Sequence, residues 1–337
     1  MKLVAGFWLL VAWGSLLGAG RWGLACPPKL YAEAEARSGV TRAEAGLTEA
    51  PRLAAVYDSI LNAQFDRIDA ELAMTCPPAP VGACQALAAE AVWWQILVDP
   101  DSRALDRRLL DLAEAAVDAT LQWTRREPNR AEAWFYLAGS YVPRVQLRVA
   151  RSERLAAARD GNRIRAALER SLQLDPSLDD AHFGIGLYRY YADVVPRYAK
   201  FLRWLMLPGG DRASGLREIL LARDRGVLLR GQADFELHQI YLWYEGRSRD
   251  ASMLLESLDA RYPANPVFLE RIADLNDVYF HDLNASAHAW RRLIDRARDR
   301  RVYAAALIEA RAERKLRDLN ARREKSDRAL HDHTKLF

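Results

Sequence analysis

Three stretches of the chain can be superposed, and they decide its fold: NRAEAWFYLAGSY at 129–141, LDDAHFGIGLYRYY at 178–191 and GQADFELHQIYLWY at 231–244. Each carries Ala, Asp or Glu among its first five residues, as a helix entry does, and each has a ring-bearing side chain at the same position: Trp134, His182 or Phe235. A second helical pattern follows each stretch and ends at a proline or a glycine. Repetition of one two-helix unit predicts a stack of helical hairpins.

Small residues occupy a shared position in these units. Ala138 in the first unit aligns with Gly186 in the second, where the paired helix would pass closely. The GIG triplet around Gly186 neither follows a strand nor opens a helix, so we interpret it as packing and not as a dinucleotide site. The later GGD at 209–211 predicts a turn with Asp211 as a helix cap, and an anion site there is the alternative.

The units resemble the tetratricopeptide repeat (TPR) family. The matching residues of the first unit are Trp134, Leu137, Ala138, Tyr141, Leu168 and Pro176, and those of the third are Gly246, Ala251, Leu255 and Pro263. The first two units depart from the family by extra segments of about 14 and 17 residues between their helices. The resemblance implies an all-α fold, an α-solenoid of TPR-like helical hairpins with insertions, over residues 129–300.

The residues before the repeats also read as helices. Apolar side chains at spacings of three and four predict one amphipathic helix from Ala50 to Thr75, a second from about Gly82 to Val98 and a third that ends at Arg126. We therefore assign residues 50–128 to N-terminal helical hairpins. Alternating β-branched runs of the kind that form strands are hard to find anywhere in the chain.

The N-terminus has the features of an export signal. Lys2 precedes a long uncharged apolar run, which predicts a signal peptide over residues 1–25. Cys26 then follows GLA, which is similar to a bacterial lipoprotein signal and predicts lipidation of Cys26. Plain cleavage and an uncleaved membrane anchor are the alternatives. Residues 26–49 hold few large apolar side chains and are interpreted as a flexible tether.

Cys76 and Cys84 are the other two cysteines of the chain, and they flank the loop PPAPVGA. Two cysteines across one tight turn can form a disulfide, which an exported protein is chemically allowed to keep. The alternative is a pair of small, buried, reduced residues.

The positive charge of the chain lies at its C-terminus. From Arg291 onward there are 15 Arg and Lys against 8 Asp and Glu, whereas the formal net charge of the whole chain is +4. We interpret 301–337 as a basic capping helix and tail with a solvated face. Docking on an acidic partner or on anionic head groups is the alternative. Nucleic acid is not expected as a partner, because acids dilute the basic residues.

No motif for chemistry stands out. HExxH, CxxC and GxSxG patterns are absent from the sequence, and His331 and His333 stand two apart, on different sides of any helix. We therefore predict no catalytic residue, no metal and no cofactor. The segment 194–207 mixes aromatic and basic residues, so it predicts either a helix on a membrane surface or a buried helix.

A binding function follows from the resemblance. TPR arrays hold a peptide or a partner helix in a concave groove, and the family's groove positions fall here on Phe135, Val142, Phe183, Leu187, Tyr190, Tyr191, Glu236, Ile240, Trp243 and Tyr244. We expect a protein-protein interaction scaffold of the bacterial cell envelope, unless the inserted segments fold back and bury these rings. The alternatives are an envelope assembly or secretion factor that engages lipid through 194–207, and an enzyme with an unrecognised site.

Overall fold

The computed structural model describes residues 46–194 and 210–334, and these two ranges contain thirteen helices and no strand. The all-α prediction is confirmed. The helices are α1 (Ala50–Leu61), α2 (Ile68–Thr75), α3 (Val81–Val98), α4 (Asp106–Arg126), α5 (Ala131–Ala150), α6 (Arg154–Leu174), α7 (Asp179–Asp193), α8 (Arg212–Arg225), α9 (Arg230–Trp243), α10 (Ser248–Arg261), α11 (Pro266–Val278), α12 (Leu283–Arg298) and α13 (Ala305–Thr334).

Helices that follow each other along the chain pack as hairpins: α5 with α6, α7 with α8, α9 with α10, and α11 with α12. Side-chain caps begin three of these helices, since Asp211, Asn265 and Asp282 each accept hydrogen bonds from backbone N–H groups of the first turn. The cap predicted at Asp211 is thereby confirmed. Between hairpins, the Asp180 carboxylate accepts the backbone N–H groups of Val227, Leu228 and Leu229, which ties α7 to the start of α9.

The extra segment of the first unit lengthens its hairpin. Helix α5 runs on past Tyr141 and through Pro143 to Ala150, and α6 begins only four residues later. The buried Asp160 of α6 receives Arg144 at 2.8 Å and also pairs with Arg148, so ion pairs join the two extensions. This segment therefore does not fold back as a separate loop, because helix formation satisfies its backbone groups directly.

The N-terminal region differs from the prediction of one helix over Ala50–Thr75, which is wrong. Helix α1 ends at Leu61, and Ala63 has φ 55°, a left-handed conformation that a continuing helix does not allow. A tertiary contact holds this break, since the Asn62 side chain accepts the backbone N–H of Ala264 at 3.0 Å. The apolar residues keep a helical spacing across this break, so the periodicity of the sequence did not reveal that the helix ends at Leu61.

Helix α3 packs with α4 as a hairpin that lies beside α5, and α1 and α3 also reach helices farther along the chain. The Trp94 ring of α3 lies 5.0 Å from that of Phe235 in α9 and 5.9 Å from that of Phe268 in α11. Asn265 donates to the Leu61 carbonyl at the end of α1. These N-terminal helices therefore cover the side on which the first helices of the repeat units present their predicted groove residues.

Helix α3 is also the one helix of the described residues that is long and apolar enough to cross a membrane. However, 72% of that stretch is buried inside the protein. Its apolar surface is used in packing, which accounts for its composition.

Cys76 and Cys84 form the predicted disulfide, with their Cα atoms 6.5 Å apart, in the usual range for such a bridge. The bridge joins the end of α2 to the first turn of α3. Closing a loop of this length contributes about 2 to 3 kcal/mol of stability in the chain-entropy account.

The predictions for the signal peptide, for lipidated Cys26 and for most of the tether fall on residues outside those described. The same holds for 195–207 of the predicted membrane-surface segment. Of the tether, Thr48 is described, and its backbone N–H and hydroxyl both donate to the Glu132 carboxylate.

Candidate functional site

A cavity of about 140 Å³ lies between α3 and the helices α5, α7 and α9. Its walls come from six helices, α1, α3, α5, α6, α7 and α9, and they are mainly apolar. The principal apolar side chains are Leu87, Phe135, Val142, Leu168, Phe183 and Leu187. A mainly apolar space with a few polar groups has the composition of a small-ligand site, and its volume here suits a ligand smaller than a drug-sized molecule.

Polar groups line the same cavity. Glu90 of α3 is only 7% exposed, and the Tyr57 hydroxyl of α1 lies 3.4 Å from its Oε1 and 3.1 Å from Gln232 Oε1 of α9. The single hydroxyl proton of Tyr57 cannot form a strong hydrogen bond to both oxygens, so its hydrogen bond to Glu90 is weak. Burial raises the pKa of Glu90 to about 8, because the charged form loses its hydration.

Glu236 of α9 is a second carboxyl group on this wall. Its oxygens accept long hydrogen bonds from Gln232 Nε2 at 3.3 Å and from Gln239 Nε2 at 3.4 Å. Burial raises its pKa to about 7. Glu236 also lines a smaller adjacent cavity of about 40 Å³, together with Tyr191, Trp243 and Arg271.

Gln146 of α5 lines both cavities and joins them, and it is 6% exposed. Its Oε1 atom is buried and has no hydrogen-bond partner. An unsatisfied buried acceptor costs about 1 to 3 kcal/mol, so a bound group that donates to it would recover that free energy.

No ion pair reaches either carboxyl group from residues 46–194 or 210–324, whose side chains are described, and neither pKa is lowered by a cation. Three other interior acids, Asp160, Asp234 and Asp259, are each paired with two or more arginines, and Asp180 accepts three backbone N–H groups. Glu90 and Glu236 therefore differ from the acids that hold the hairpins together.

The structure divides the predicted groove residues. Phe135, Phe183, Leu187 and Glu236 line the larger cavity, as Val142 also does, and Tyr191, Glu236 and Trp243 line the smaller one. Six of the ten predicted groove residues are buried: Phe135, Phe183, Leu187, Tyr190, Tyr191 and Ile240. Val142 is half-buried. Glu236, Trp243 and Tyr244 are half-buried. Binding of a partner at these residues stays a prediction.

Tyr190 has the contacts of a core residue. Its ring is fully buried, and its hydroxyl donates to Glu245 Oε1 at 2.5 Å, while Arg212 pairs with the same carboxylate. The rings of Tyr191 and Tyr244 stand edge-on to it at 5.5 and 6.1 Å. An array with an open groove would expose Tyr190, whereas here the packing of α7 against α8 and α9 encloses it.

The sequence-based reasoning missed Tyr57, Glu90 and Gln146 as site residues. Glu90 carried a signal that was present in the sequence, because it is the one charged residue in VGACQALAAEAVWWQILV. A lone acid in a helix that is apolar on all sides is buried, and a buried acid is a functional-site candidate. Tyr57 and Gln146 carried no comparable signal.

Among residues 46–194 and 210–324, no group of three or more His, Cys, Asp or Glu side chains could hold a metal ion. No protein-family model matches the chain, and no curated protein is similar to it in sequence.

Proposed function

We propose that this chain is a non-catalytic binding protein of the bacterial cell envelope. In this proposal it is an α-solenoid of TPR-like hairpins, exported and held at a membrane through lipidated Cys26. It binds a protein or peptide partner, and one side chain of that partner enters the cavity between α3 and the inner helices of the repeats. The observation that carries the proposal is the convergence of Phe135, Phe183, Leu187 and Glu236 on one cavity.

The expected mode of binding differs from that of an open TPR groove. Among the described residues, α1 and α3 contact the helices whose faces a long partner helix would use, so such a helix would have to compete with them. A partner that inserts a single side chain needs only the cavity. Inserted side chains are frequent anchors of protein interfaces, since a filled pocket excludes water on all sides.

Gly139 allows the cavity to be tested without disturbing its walls. It lies in α5, it lines the cavity, and a Cβ atom built on it would meet no atom within 4 Å. Gly139→Leu is expected to fill the cavity and abolish partner capture, whereas Gly139→Ala is expected to leave most of the space open. Both changes remove a helical glycine, so neither is expected to lower the melting temperature.

The measurement is crosslinking in intact cells that express the full chain, followed by identification of the captured protein. A partner captured by the native chain and by Gly139→Ala, and lost in Gly139→Leu, supports the proposal. Equal capture by Gly139→Leu would contradict it and place the partner on the outer face or on α13.

A further inference from the structure

The unpaired acids of the cavity indicate which chemical group fits there. Glu90 and Glu236 line the same mainly apolar space, where the hydrogen bonds from Tyr57, Gln232 and Gln239 are all 3.3 Å or longer. The indole N–H of Trp94 is a further donor beside Glu90. A carboxylate can accept about four hydrogen bonds, so both retain acceptor capacity. The buried and unpartnered Oε1 atom of Gln146 adds a third acceptor to the same walls.

We propose that the cavity binds an alkylammonium group, that is, a short hydrocarbon chain that ends in a protonated amine. The ammonium group has three N–H donors and no acceptor, and it matches three acceptor groups on the cavity walls. The hydrocarbon part matches the apolar walls formed by Leu87, Phe135, Leu168 and Phe183. This inference rests on the proposed binding function only for the source of the amine, which is a lysine side chain of a partner or a free small amine.

The size of the cavity sets the length of the ligand. A cavity of about 150 Å³ lined by apolar side chains accommodates benzene. The 140 Å³ found here therefore holds a group of similar bulk, such as a lysine side chain or hexylamine. A longer chain would have to extend toward the smaller cavity.

Charge decides between an amine and a neutral ligand. Burying an ammonium ion costs several kcal/mol unless it meets a hydrogen-bonded anion, and burying a carboxylate costs a similar amount. When both are brought together, each offsets the cost of the other. A neutral alcohol of the same length would gain the apolar contacts and one donated hydrogen bond, but it would supply no charge to balance an ionised Glu90 or Glu236.

Binding is expected to depend on pH, and the other groups facing the site set the direction. The titratable or charged groups that line the two cavities are Tyr57, Glu90, Tyr136, Tyr191, Glu236 and Arg271. The tyrosines stay neutral, because their pKa values are raised by burial, and Arg271 pairs with neither glutamate. Since Glu90 has a pKa of about 8, a cation that binds beside it displaces its proton, so affinity rises between pH 6 and pH 8.

The test is a titration of the full chain with hexylamine and, separately, with 1-hexanol. Calorimetry and NMR measure the binding. We expect hexylamine to bind at least about tenfold more tightly than hexanol at pH 8, which corresponds to about 1.4 kcal/mol. Glu90→Gln and Glu236→Gln should remove this preference, because glutamine has the shape of the neutral acid and cannot become an anion. Glu114→Gln, at an exposed position of α4, is the matched control and should leave it unchanged.

Further probes locate the site and identify the source of the amine. Gly139→Leu should abolish hexylamine binding. A blocked lysine tripeptide that binds, while its Nε-acetyl form does not, assigns the site to a lysine side chain, whereas binding of hexylamine alone assigns it to a free amine. Equal binding of hexanol, no binding of any amine, or an unchanged preference in both glutamine variants would overturn the inference. Hexylamine binding without capture of any partner would overturn only the proposed function.

Discussion

Glu90 illustrates how burial can keep an ionisable side chain in its neutral form. It lies in the middle of α3, it is 7% exposed, and its neighbours along the helix are apolar. The folded chain therefore keeps this carboxyl group protonated at pH values where the unfolded chain releases the proton. That difference links the stability of the whole protein to pH.

We expect the contribution of Glu90 to the free energy of unfolding to fall as the pH rises from about 4.5 to about 8, which are the ordinary and the raised pKa of this group. In this window the unfolded chain binds fewer protons than the folded chain, so the slope is negative, at most about 1.4 kcal/mol per pH unit from one group. Below pH 4.5 this contribution is constant. Glu90→Gln removes it, and chemical denaturation at several pH values measures the change.

Glu114→Gln serves again as the control, and its slope should equal that of the native chain. Glu236, with a pKa raised to about 7, also makes the free energy of unfolding fall as the pH rises toward 7. This contribution remains in the Glu90→Gln variant. An identical pH slope in Glu90→Gln and in the native chain would contradict the prediction.

At the scale of the elements, the hairpin of α7 and α8 depends on two glycines that face each other. A Cβ atom on Gly186 would lie 2.7 Å from the carbonyl oxygen of Gly215 and 2.9 Å from the Ile219 backbone nitrogen. A Cβ atom on Gly215 would lie 2.5 Å from the Tyr190 nitrogen. The interpretation of Gly186 as a packing residue is confirmed, because the backbones of the two helices are in contact there.

Gly186→Ala is expected to destabilise the protein by about 1 to 3 kcal/mol, since the methyl group forces two backbones apart. The matched control is Gly139→Ala in α5, where the new Cβ meets no atom within 4 Å. That change should stabilise by up to about 1 kcal/mol through helix propensity. Opposite signs in urea denaturation are the expected result, and a stabilising Gly186→Ala would show that the helices do not touch at this point.

At the scale of the whole molecule, the first helix closes against residues about 200 positions later. The Tyr262 hydroxyl donates to Asp58, and the fully buried Asn265 donates to the Leu61 carbonyl at 2.7 Å while it caps α11. On α9, a Cβ atom on Gly231 would lie 2.4 Å from Leu61 Cδ1, so α1 also packs tightly there. These contacts hold α1 against α9 and against the connection between α10 and α11.

Asn265→Ala is expected to cost about 2 to 4 kcal/mol, from a lost helix cap and from the Leu61 carbonyl left without its donor. Asp282→Ala removes an exposed cap of α12 alone and should cost about 1 kcal/mol. Denaturation gives both values. Amide hydrogen exchange should in addition become faster throughout α1 in Asn265→Ala, and a change confined to α11 would contradict the long-range role of Asn265.

The sequence by itself determined the features that depend on neighbouring residues. Spacings of three and four gave the correct type of nearly every described helix, since burial of one helical face needs only a local pattern. The cap at Asp211, the small residue at Gly186 and the bridge between Cys76 and Cys84 were found for the same reason. Each involves groups that are close along the chain or marked by a residue type with one common use.

Only the tertiary structure decided where α1 and α3 lie, and with them the cavity. The break after Leu61 is held by Ala264, and the surroundings of Glu90 include Tyr57 and Gln232, residues far away in the sequence. Periodicity shows that a helical face is buried but not which partner buries it, because many apolar faces can satisfy the same pattern. The sequence therefore places the predicted groove residues on one face of their helices, and only the structure shows that α1 and α3 cover this face.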